Sequence, residues 1–370
     1  PTAAAAAAVL AAAARHAHAR RSRRRGGKPQ RRLIGLAAEA TEGAASSPAA
    51  ADEDRLVRYM GGNVVVRALT ATSAVREACA SHGTSPTASI ALGRAIMGTA
   101  LLANGRDAGE TLQLRIQGGG PAGTLLAEAN SALECRAFVS EPTANAASVP
   151  ELLGCGEDAT LRVSRMHPFW KAPYTGTVAF TSGEIAEDVV QYLAMSEQTP
   201  ASMGLSVEWD DEANCVKHAE GFLVTLLPGW TEGEVAVVED NIRSFGAMED
   251  KGLPRPEAIC EHMMTELLGT FQLEDRVAWR CSCSKQRLLT AVMMLGKEEV
   301  MEIVNKKQPV DAKCDWCGSS LSLTPDEIST YIKTDEGKEQ VQSGAASPRQ
   351  LKLQEEELQM MPDAGQADWN

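Results

Sequence analysis

The chain has 370 residues, of which 44% are hydrophobic and 4% aromatic, and it carries a formal net charge of −13. That length allows two domains, and an acidic chain with few aromatic rings argues against nucleic acid as a partner. The longest apolar run, residues 3–14, is shorter than the roughly 18–20 residues that cross a bilayer, so we expect no membrane partner either. Nine cysteines, five of them isolated in sequence, favour a compartment that keeps thiols reduced.

The two ends of the chain differ in composition from its body. Residues 1–50 hold nine Lys and Arg but only two acids, and they are rich in alanine. This composition is typical of an organelle transit peptide, with a solvated basic arm as the alternative. We therefore predict a destination in a eukaryotic organelle, the plastid stroma or the mitochondrial matrix. Residues 334–370 are polar and acidic, which predicts a disordered tail.

Residues 54–229 mix strand and helix patterns in a stretch that is rich in aliphatic side chains. We predict an N-terminal α/β domain with one long helix at 84–103, where small and aliphatic residues recur at helical spacing. A shorter helix is predicted at Ile185–Met195. The predicted strands are 63–70, 112–117, 159–165, 174–181 and 216–227.

Residues 230–279 have a different character, with dense acids, interspersed aliphatic residues and two prolines at 254 and 256. Because proline interrupts helices, we predict a partly helical, metastable linker rather than a domain.

The motifs of common enzyme classes have little support in the sequence. Residues 118–123 match GxGxxG after a predicted strand, but Pro121 lies inside the turn and no helical pattern follows. We therefore predict a strand-to-strand turn rather than a dinucleotide site. The sequence contains no HExxH, GxSxG or P-loop motif.

Four of the cysteines form two close pairs. Cys281 and Cys283 form a CxC, and 30 intervening residues separate it from the CxxC of Cys314 and Cys317. Two short pairs of thiolates are what tetrahedral Zn²⁺ requires, since each pair supplies one edge of the tetrahedron. We therefore predict one Zn²⁺ held by these four side chains. The alternative is four unrelated buried cysteines.

Residues 280–333 surround the two pairs and predict a small zinc module. Two short helices are expected at Lys285–Leu295 and Lys297–Lys306, and Thr324 with Glu327 predicts the capped start of a third. A module of about 54 residues buries little apolar surface, so its fold should depend on the metal.

The zinc module should also respond to oxidants, because a thiolate is the oxidisable form of cysteine. The pairs are flanked by basic residues that favour the thiolate, namely Arg280, Lys285, Arg287 and Lys313. Each pair is close enough in sequence to form a local disulfide, and a disulfide sulfur is a poor zinc ligand. The sequence therefore predicts a switch in which oxidation removes zinc and unfolds the module.

From about Asp54 to Ile332 the chain resembles the heat shock protein 33 family of redox-regulated holdase chaperones. The resemblance rests on RCSCSKQRLLTAVMMLGKEEVMEIV and CDWCG around the four cysteines. It rests also on LQLRIQGGGPAGTLLAEAN, on YTGTVAFTSGEIAEDVVQYLAMSEQTPASMGLSV and on AEGFLVTLLPG. The bacterial members of that family are cytoplasmic.

The resemblance implies an α+β protein with an N-terminal α/β domain, a metastable helical linker and a zinc module with four cysteine ligands, and no catalytic turnover. It implies that the reduced, zinc-bound monomer is dormant. On oxidation Cys281 would pair with Cys283 and Cys314 with Cys317, and zinc would be lost. The linker would then unfold, and the protein would dimerise and bind unfolding client proteins without ATP. A thiol–disulfide oxidoreductase and a constitutive zinc-ribbon binding module remain as alternatives.

Overall fold

The computed structural model describes residues 53–245 and 255–334, which divide after Arg280 into an N-terminal and a C-terminal unit. The predicted transit peptide, residues 1–50, lies outside the described residues. So do all but the first residue of the predicted tail and residues 246–254 of the predicted linker. The boundaries predicted at 54–229, 230–279 and 280–333 stay predictions.

The N-terminal unit alternates strands and helices. In chain order its elements are β1 (Arg55–Gly61), β2 (Val64–Thr70), α1 (Thr72–His82), α2 (Pro86–Ala103), β3 (Thr111–Gln117), β4 (Thr124–Asn130), β5 (Glu134–Val139), α3 (Val149–Leu153), β6 (Thr160–Met166), β7 (Tyr174–Ala179), α4 (Ile185–Ser196), β8 (Ala201–Asp210), β9 (Cys215–Leu226), α5 (Glu232–Phe245), α6 (Pro256–Met263), β10 (Thr270–Arg276) and β11 (Ala278–Trp279).

These strands form two sheets. One has the order β10-β1-β2-β9-β8, and the other has the order β11-β5-β4-β3-β6-β7. All neighbours are antiparallel except β11 and β5, which are parallel. On β3 the side chains of Leu112, Leu114 and Ile116 are buried while their neighbours are less so, which confirms the predicted alternation. The predicted α+β class is therefore confirmed.

Helix α2 lies at the centre of the main core and packs against strands of both sheets. It begins at Pro86 after Ser85, whose hydroxyl accepts a hydrogen bond from the Ala88 N–H, as expected of a capped helix with proline in its first turn. By length and composition α2 could cross a membrane, but 78% of it is buried inside the unit. Core packing therefore explains its apolar composition.

The glycine-rich segment at 118–123 is the predicted turn, and it joins β3 to β4. The Gly120 N–H donates a hydrogen bond to the Leu153 carbonyl at 2.9 Å. A Cβ on Gly118 would lie 2.1 Å from the Gly154 carbonyl oxygen. The glycines therefore serve close backbone packing against the end of α3, and not the cradling of a phosphate.

The region predicted as a linker contains the expected helices, α5 and α6, but also two strands that the sequence did not predict. Strand β10 pairs with β1 at the edge of the five-stranded sheet. The two helices cover one face of that sheet and form a second core with it. Among the residues of this core are Val57, Val66, Val224, Val238, Ile259 and Met263. The linker is thus bound to the N-terminal domain by both apolar packing and main-chain hydrogen bonds.

The C-terminal unit is small. Its elements are α7 (Lys285–Met293), α8 (Lys297–Lys306), β12 (Val310–Lys313), β13 (Ser320–Leu323) and α9 (Pro325–Ile332). The two predicted helices are confirmed, and so is the capping box of Thr324 and Glu327 at the start of α9. Seven buried side chains form its core: Leu289, Val292, Met293, Val300, Leu323, Ile328 and Tyr331.

Asn241 on α5 provides a test of how the linker region is held. Its buried side-chain amide donates hydrogen bonds of 3.0 Å to the carbonyls of Met263 and Thr265 at the end of α6. Asn241→Ala leaves both carbonyls without this donor, so we expect a loss of about 1–3 kcal/mol in denaturant unfolding of the reduced protein. Asn305→Ala, at an exposed position of α8, should lower stability by no more than about 0.5 kcal/mol. Equal effects of the two variants would contradict this role.

Candidate metal centre

Two backbone segments of the C-terminal unit present the four cysteines of the predicted zinc site. Cys281 and Cys283 lie just before α7, whose first turn is fixed because the Ser284 hydroxyl accepts a hydrogen bond from the Arg287 N–H. Cys314 and Cys317 lie in the turn between β12 and β13.

The turn that carries the second pair is tight. The Gly318 N–H donates to the Cys314 carbonyl at 2.8 Å, and the Cys314 N–H donates to the Ser319 carbonyl at 2.9 Å. Gly318 has a φ of 67°, a left-handed conformation that glycine adopts without strain. This local geometry holds the Cys314 and Cys317 backbones in one compact loop.

The two segments bring the four sulfur atoms together. All four Sγ atoms lie within 4.8 Å of one another. Cys281 Sγ is 3.7 Å from Cys314 Sγ, and Cys283 Sγ is 3.4 Å from Cys317 Sγ. Sulfurs bound to one tetrahedral zinc at about 2.3 Å are about 3.8 Å apart, so the cluster fits a Zn²⁺ ion. Among the described residues this is the group of side chains that could hold a metal.

Hydrogen bonds inside the cluster make one thiol more acidic than its neighbours. Burial opposes a charge on Cys317, but hydrogen bonds with the side chain and backbone of Ser319 and with the neighbouring thiols lower its pKa to about 7. Burial and hydrogen bonds to its neighbours raise the pKa of Cys283. Burial likewise raises the pKa of Cys314. Without a cation the negative charge is therefore concentrated on Cys317, whereas a divalent cation would compensate charge on all four sulfurs.

The basic residues expected to favour the thiolates mostly have other partners. Lys285 Nζ forms a 2.8 Å ion pair with Glu327, and the Arg287 guanidinium donates to the Ser282 hydroxyl. Arg280 forms an ion pair with Glu134 in the N-terminal unit. The structure therefore does not support the prediction that these three side chains act on the sulfurs directly. Burial and the cysteines' own hydrogen bonds account for the shifts in their pKa.

The other five cysteines lie elsewhere. Cys79, Cys135 and Cys260 are buried, Cys155 is exposed and Cys215 is half-buried. Burial raises the pKa of both Cys135 and Cys260 to about 12, which makes these thiols poor nucleophiles.

The sequence and the fold match those of known proteins. The family model described as "Hsp33 protein" matches residues 54–324. The chain belongs to the Hsp33 family.

Relatives in the Hsp33 family match this chain over nearly their whole length. The "33 kDa chaperonin" of Shouchella clausii is 35% identical over 289 residues, which are 75% of this chain and 96% of that protein. The protein of the same name from Thermus thermophilus is 34% identical over 74% of this chain and 84% of its own. The crystal structure of a 33 kDa chaperonin, a heat shock protein 33 homologue from Thermotoga maritima, superposes with a TM-score of 0.65 at 26% identity. The match covers 75% of this chain and 97% of that one.

The geometry of the sulfur cluster predicts the metal content of the reduced protein. We expect one Zn²⁺ per chain by metal analysis, and a charge-transfer and d–d spectrum of tetrahedral tetrathiolate when Co²⁺ is substituted. Cys314→Ser combined with Cys317→Ser removes half of the donors and should lower metal affinity at least about 100-fold. The matched control, Cys155→Ser combined with Cys215→Ser, should bind like the parent. Full retention of zinc in the first variant would contradict the site.

Proposed function

We propose that this chain is a redox-regulated, ATP-independent chaperone, dormant when reduced and zinc-bound and active in binding unfolding proteins after oxidation. Membership of the Hsp33 family supports a chaperone role. The observation that supports redox regulation is the cluster of four thiols in a small unit, whose core among the described residues has seven buried side chains. Such a unit is stable only while its sulfurs stay reduced.

In the reduced state Cys281, Cys283, Cys314 and Cys317 hold the metal. When bound, zinc supplies four bonds that join the segment before α7 to the turn between β12 and β13. Metal binding in small sites of this kind contributes on the order of 10–16 kcal/mol, which exceeds the whole stability expected of so small a core. The reduced, zinc-bound unit is therefore folded. We propose that the chaperone is dormant in this state.

Oxidation acts on the thiolates. Two thiols lose two electrons and two protons to form one disulfide, and one molecule of hydrogen peroxide is reduced to two of water. We propose the pairs Cys281 with Cys283 and Cys314 with Cys317. The cross pairs are also close in the folded unit, at 3.7 and 3.4 Å. The local pairs are favoured because the two cysteines of each pair, being near in sequence, stay close in space after the unit begins to open. Either set of disulfides consumes the thiolates that hold the ion.

The chain passes directly from the sulfur cluster into the linker. Arg280 alone separates Cys281 from β11, and its N–H donates a 2.8 Å hydrogen bond to the Cys135 carbonyl on β5. Unfolding of the C-terminal unit leaves this end of the linker joined to an unfolded chain, which favours its local opening. Since α5 and α6 cover an apolar face of the five-stranded sheet, their release exposes that face together with their own apolar sides. We propose that unfolding clients bind to this exposed surface.

Exposed apolar surface of this size also favours self-association, so we propose that the oxidised protein forms a homodimer. We expect neither nucleic acid nor a membrane as a partner, and no catalytic turnover. Residues 1–50 are proposed to direct the chain to the plastid stroma or the mitochondrial matrix.

One feature of the site argues against the oxidoreductase alternative. In such enzymes the CxxC lies at the start of a helix, whose N-terminus stabilises the thiolate. Here Cys314 and Cys317 lie in a hairpin turn, and the lowered pKa of Cys317 arises from hydrogen bonds within that turn and with the neighbouring thiols.

The switch is tested by measuring zinc release and client aggregation on the same sample. The reduced, zinc-bound protein should not suppress aggregation of a thermally unfolding client. After peroxide at a mildly unfolding temperature it should release its zinc, bind more of a hydrophobic dye and suppress aggregation. The control variant Cys155→Ser with Cys215→Ser should be activated like the parent. Equal suppression by the reduced, zinc-bound protein would contradict regulation, and catalysed reduction of a model disulfide would favour the oxidoreductase.

A further inference from the structure

Two arginines face each other inside the N-terminal unit, on the side of the five-stranded sheet that faces α2. Arg58 on β1 is the direct cross-strand neighbour of Arg67 on β2. Like charges placed directly opposite each other on neighbouring strands destabilise a sheet. The pair therefore needs either a counter-charge from the protein or one from outside.

The described residues do not supply that counter-charge. Arg67 Nη1 donates to the Thr225 hydroxyl at 3.2 Å, but its Nε is buried without a hydrogen-bond partner. Neither Arg58 nor Arg67 has a carboxylate within 4.0 Å in the part of the chain that the structure describes. Desolvation, together with the charges of Arg58 and Arg106, lowers the pKa of Arg67 to about 10.

The other charged groups nearby are already paired. Arg106 donates two hydrogen bonds to the Glu197 carboxylate, at 3.0 and 3.1 Å, and a third to the Leu102 carbonyl at the end of α2. Asp275 on β10 accepts a hydrogen bond from the Asn104 amide at 3.1 Å. The hydrogen bond to the last turn of α2 thus explains why the Arg106 side chain lies here. The Asn104 amide is neutral, so Asp275 keeps its negative charge, but among the described residues neither Arg58 nor Arg67 has this carboxylate within 4.0 Å.

The two guanidinium groups converge on an open point at the protein surface. A Cβ added to Gly105 would lie 3.0 Å from Arg58 Nη1 and 3.5 Å from Arg67 Nη2. Gly105 itself is exposed and has a φ of 84°. The space above this glycine is therefore bordered by donors of both arginines and is reached from solvent.

We propose that Arg58 and Arg67, with Arg106 beside them, bind a doubly charged oxyanion of the phosphate type above Gly105. A phosphate group carries close to two negative charges at neutral pH, which matches two arginines that form no ion pair among the described residues, whereas a carboxylate carries only one. Guanidinium groups also suit the geometry of phosphate oxygens, which accept paired N–H donors. The site lies wholly in the N-terminal unit and does not depend on the redox switch.

Calorimetric titration of the reduced, zinc-bound full chain tests the proposal, with inorganic phosphate and sulfate as probes and sodium chloride at matched ionic strength as reference. We expect saturable binding of one anion per chain. A dissociation constant of about 1 mM would raise the ratio of folded to unfolded protein about 11-fold in about 10 mM phosphate. Glycerol phosphate is titrated separately. If it binds more tightly than inorganic phosphate, the ligand of the site is a phosphate group on a larger molecule. If the two bind equally, the ligand is the free ion.

Variants separate a binding role from a structural one. Arg58→Gln and Arg67→Gln should each weaken phosphate binding at least about 10-fold, because each removes a charge-assisted donor. Arg162→Gln, at an exposed position of β6, should bind like the parent. In chloride, Arg58→Gln should melt at the same temperature as the parent or higher, because it removes a like-charge contact.

The proposal is overturned if the parent does not bind phosphate saturably, or if Arg58→Gln and Arg67→Gln bind as tightly as the parent. It is also overturned if Arg58→Gln lowers the melting temperature equally in chloride and in phosphate.

Discussion

The C-terminal unit depends on one constraint, the proximity of four cysteine sulfurs within 4.8 Å of one another. Among the described residues of this unit seven buried side chains form the core, which is small for two helices, a hairpin and a third helix. In the proposed switch a tetrahedral ion supplies further links, and only to thiolates, so that the folding of the unit is tied to the oxidation state of its cysteines. The same four atoms would then decide both the stability of the unit and its sensitivity to oxidants.

In the proposed switch, oxidation of the four cysteines also affects the linker, which is packed on the N-terminal domain. The linker elements α5, α6 and β10 are packed on the five-stranded sheet, the two helices on one face and β10 at one edge. Strand β10 pairs with β1 along one edge and is mostly exposed, and Arg55 joins it to α6 through ion pairs with Glu257 and Glu274. Partly exposed ion pairs contribute little to stability, so apolar packing carries most of the attachment. An element held in this way can leave without unfolding the main core around α2.

Sequence patterns predicted some of these features and missed others for physical reasons. The spacing of Cys281, Cys283, Cys314 and Cys317 predicted their proximity because one shared metal accounts for both close pairs at once. Helix α2 was visible as a long run of small and aliphatic residues because most of the helix is buried. Strand β10 was missed because its side chains are mostly exposed and its attachment is through the main chain, which leaves no apolar alternation in the sequence. The arginine pair on β1 and β2 was missed because strand register decides it, and the sequence does not contain the register explicitly.

Oxidation of the four thiols should release the linker while the main core stays folded. Amide hydrogen exchange, followed by mass spectrometry before and after peroxide treatment, measures this directly. We expect 285–332, 232–245 and 255–276 to lose protection together with zinc, while α2 and β3 keep theirs. Continued protection of 232–245 and 255–276 in a protein that has lost its zinc and suppresses aggregation would contradict the proposed switch, because clients would then bind without release of the linker.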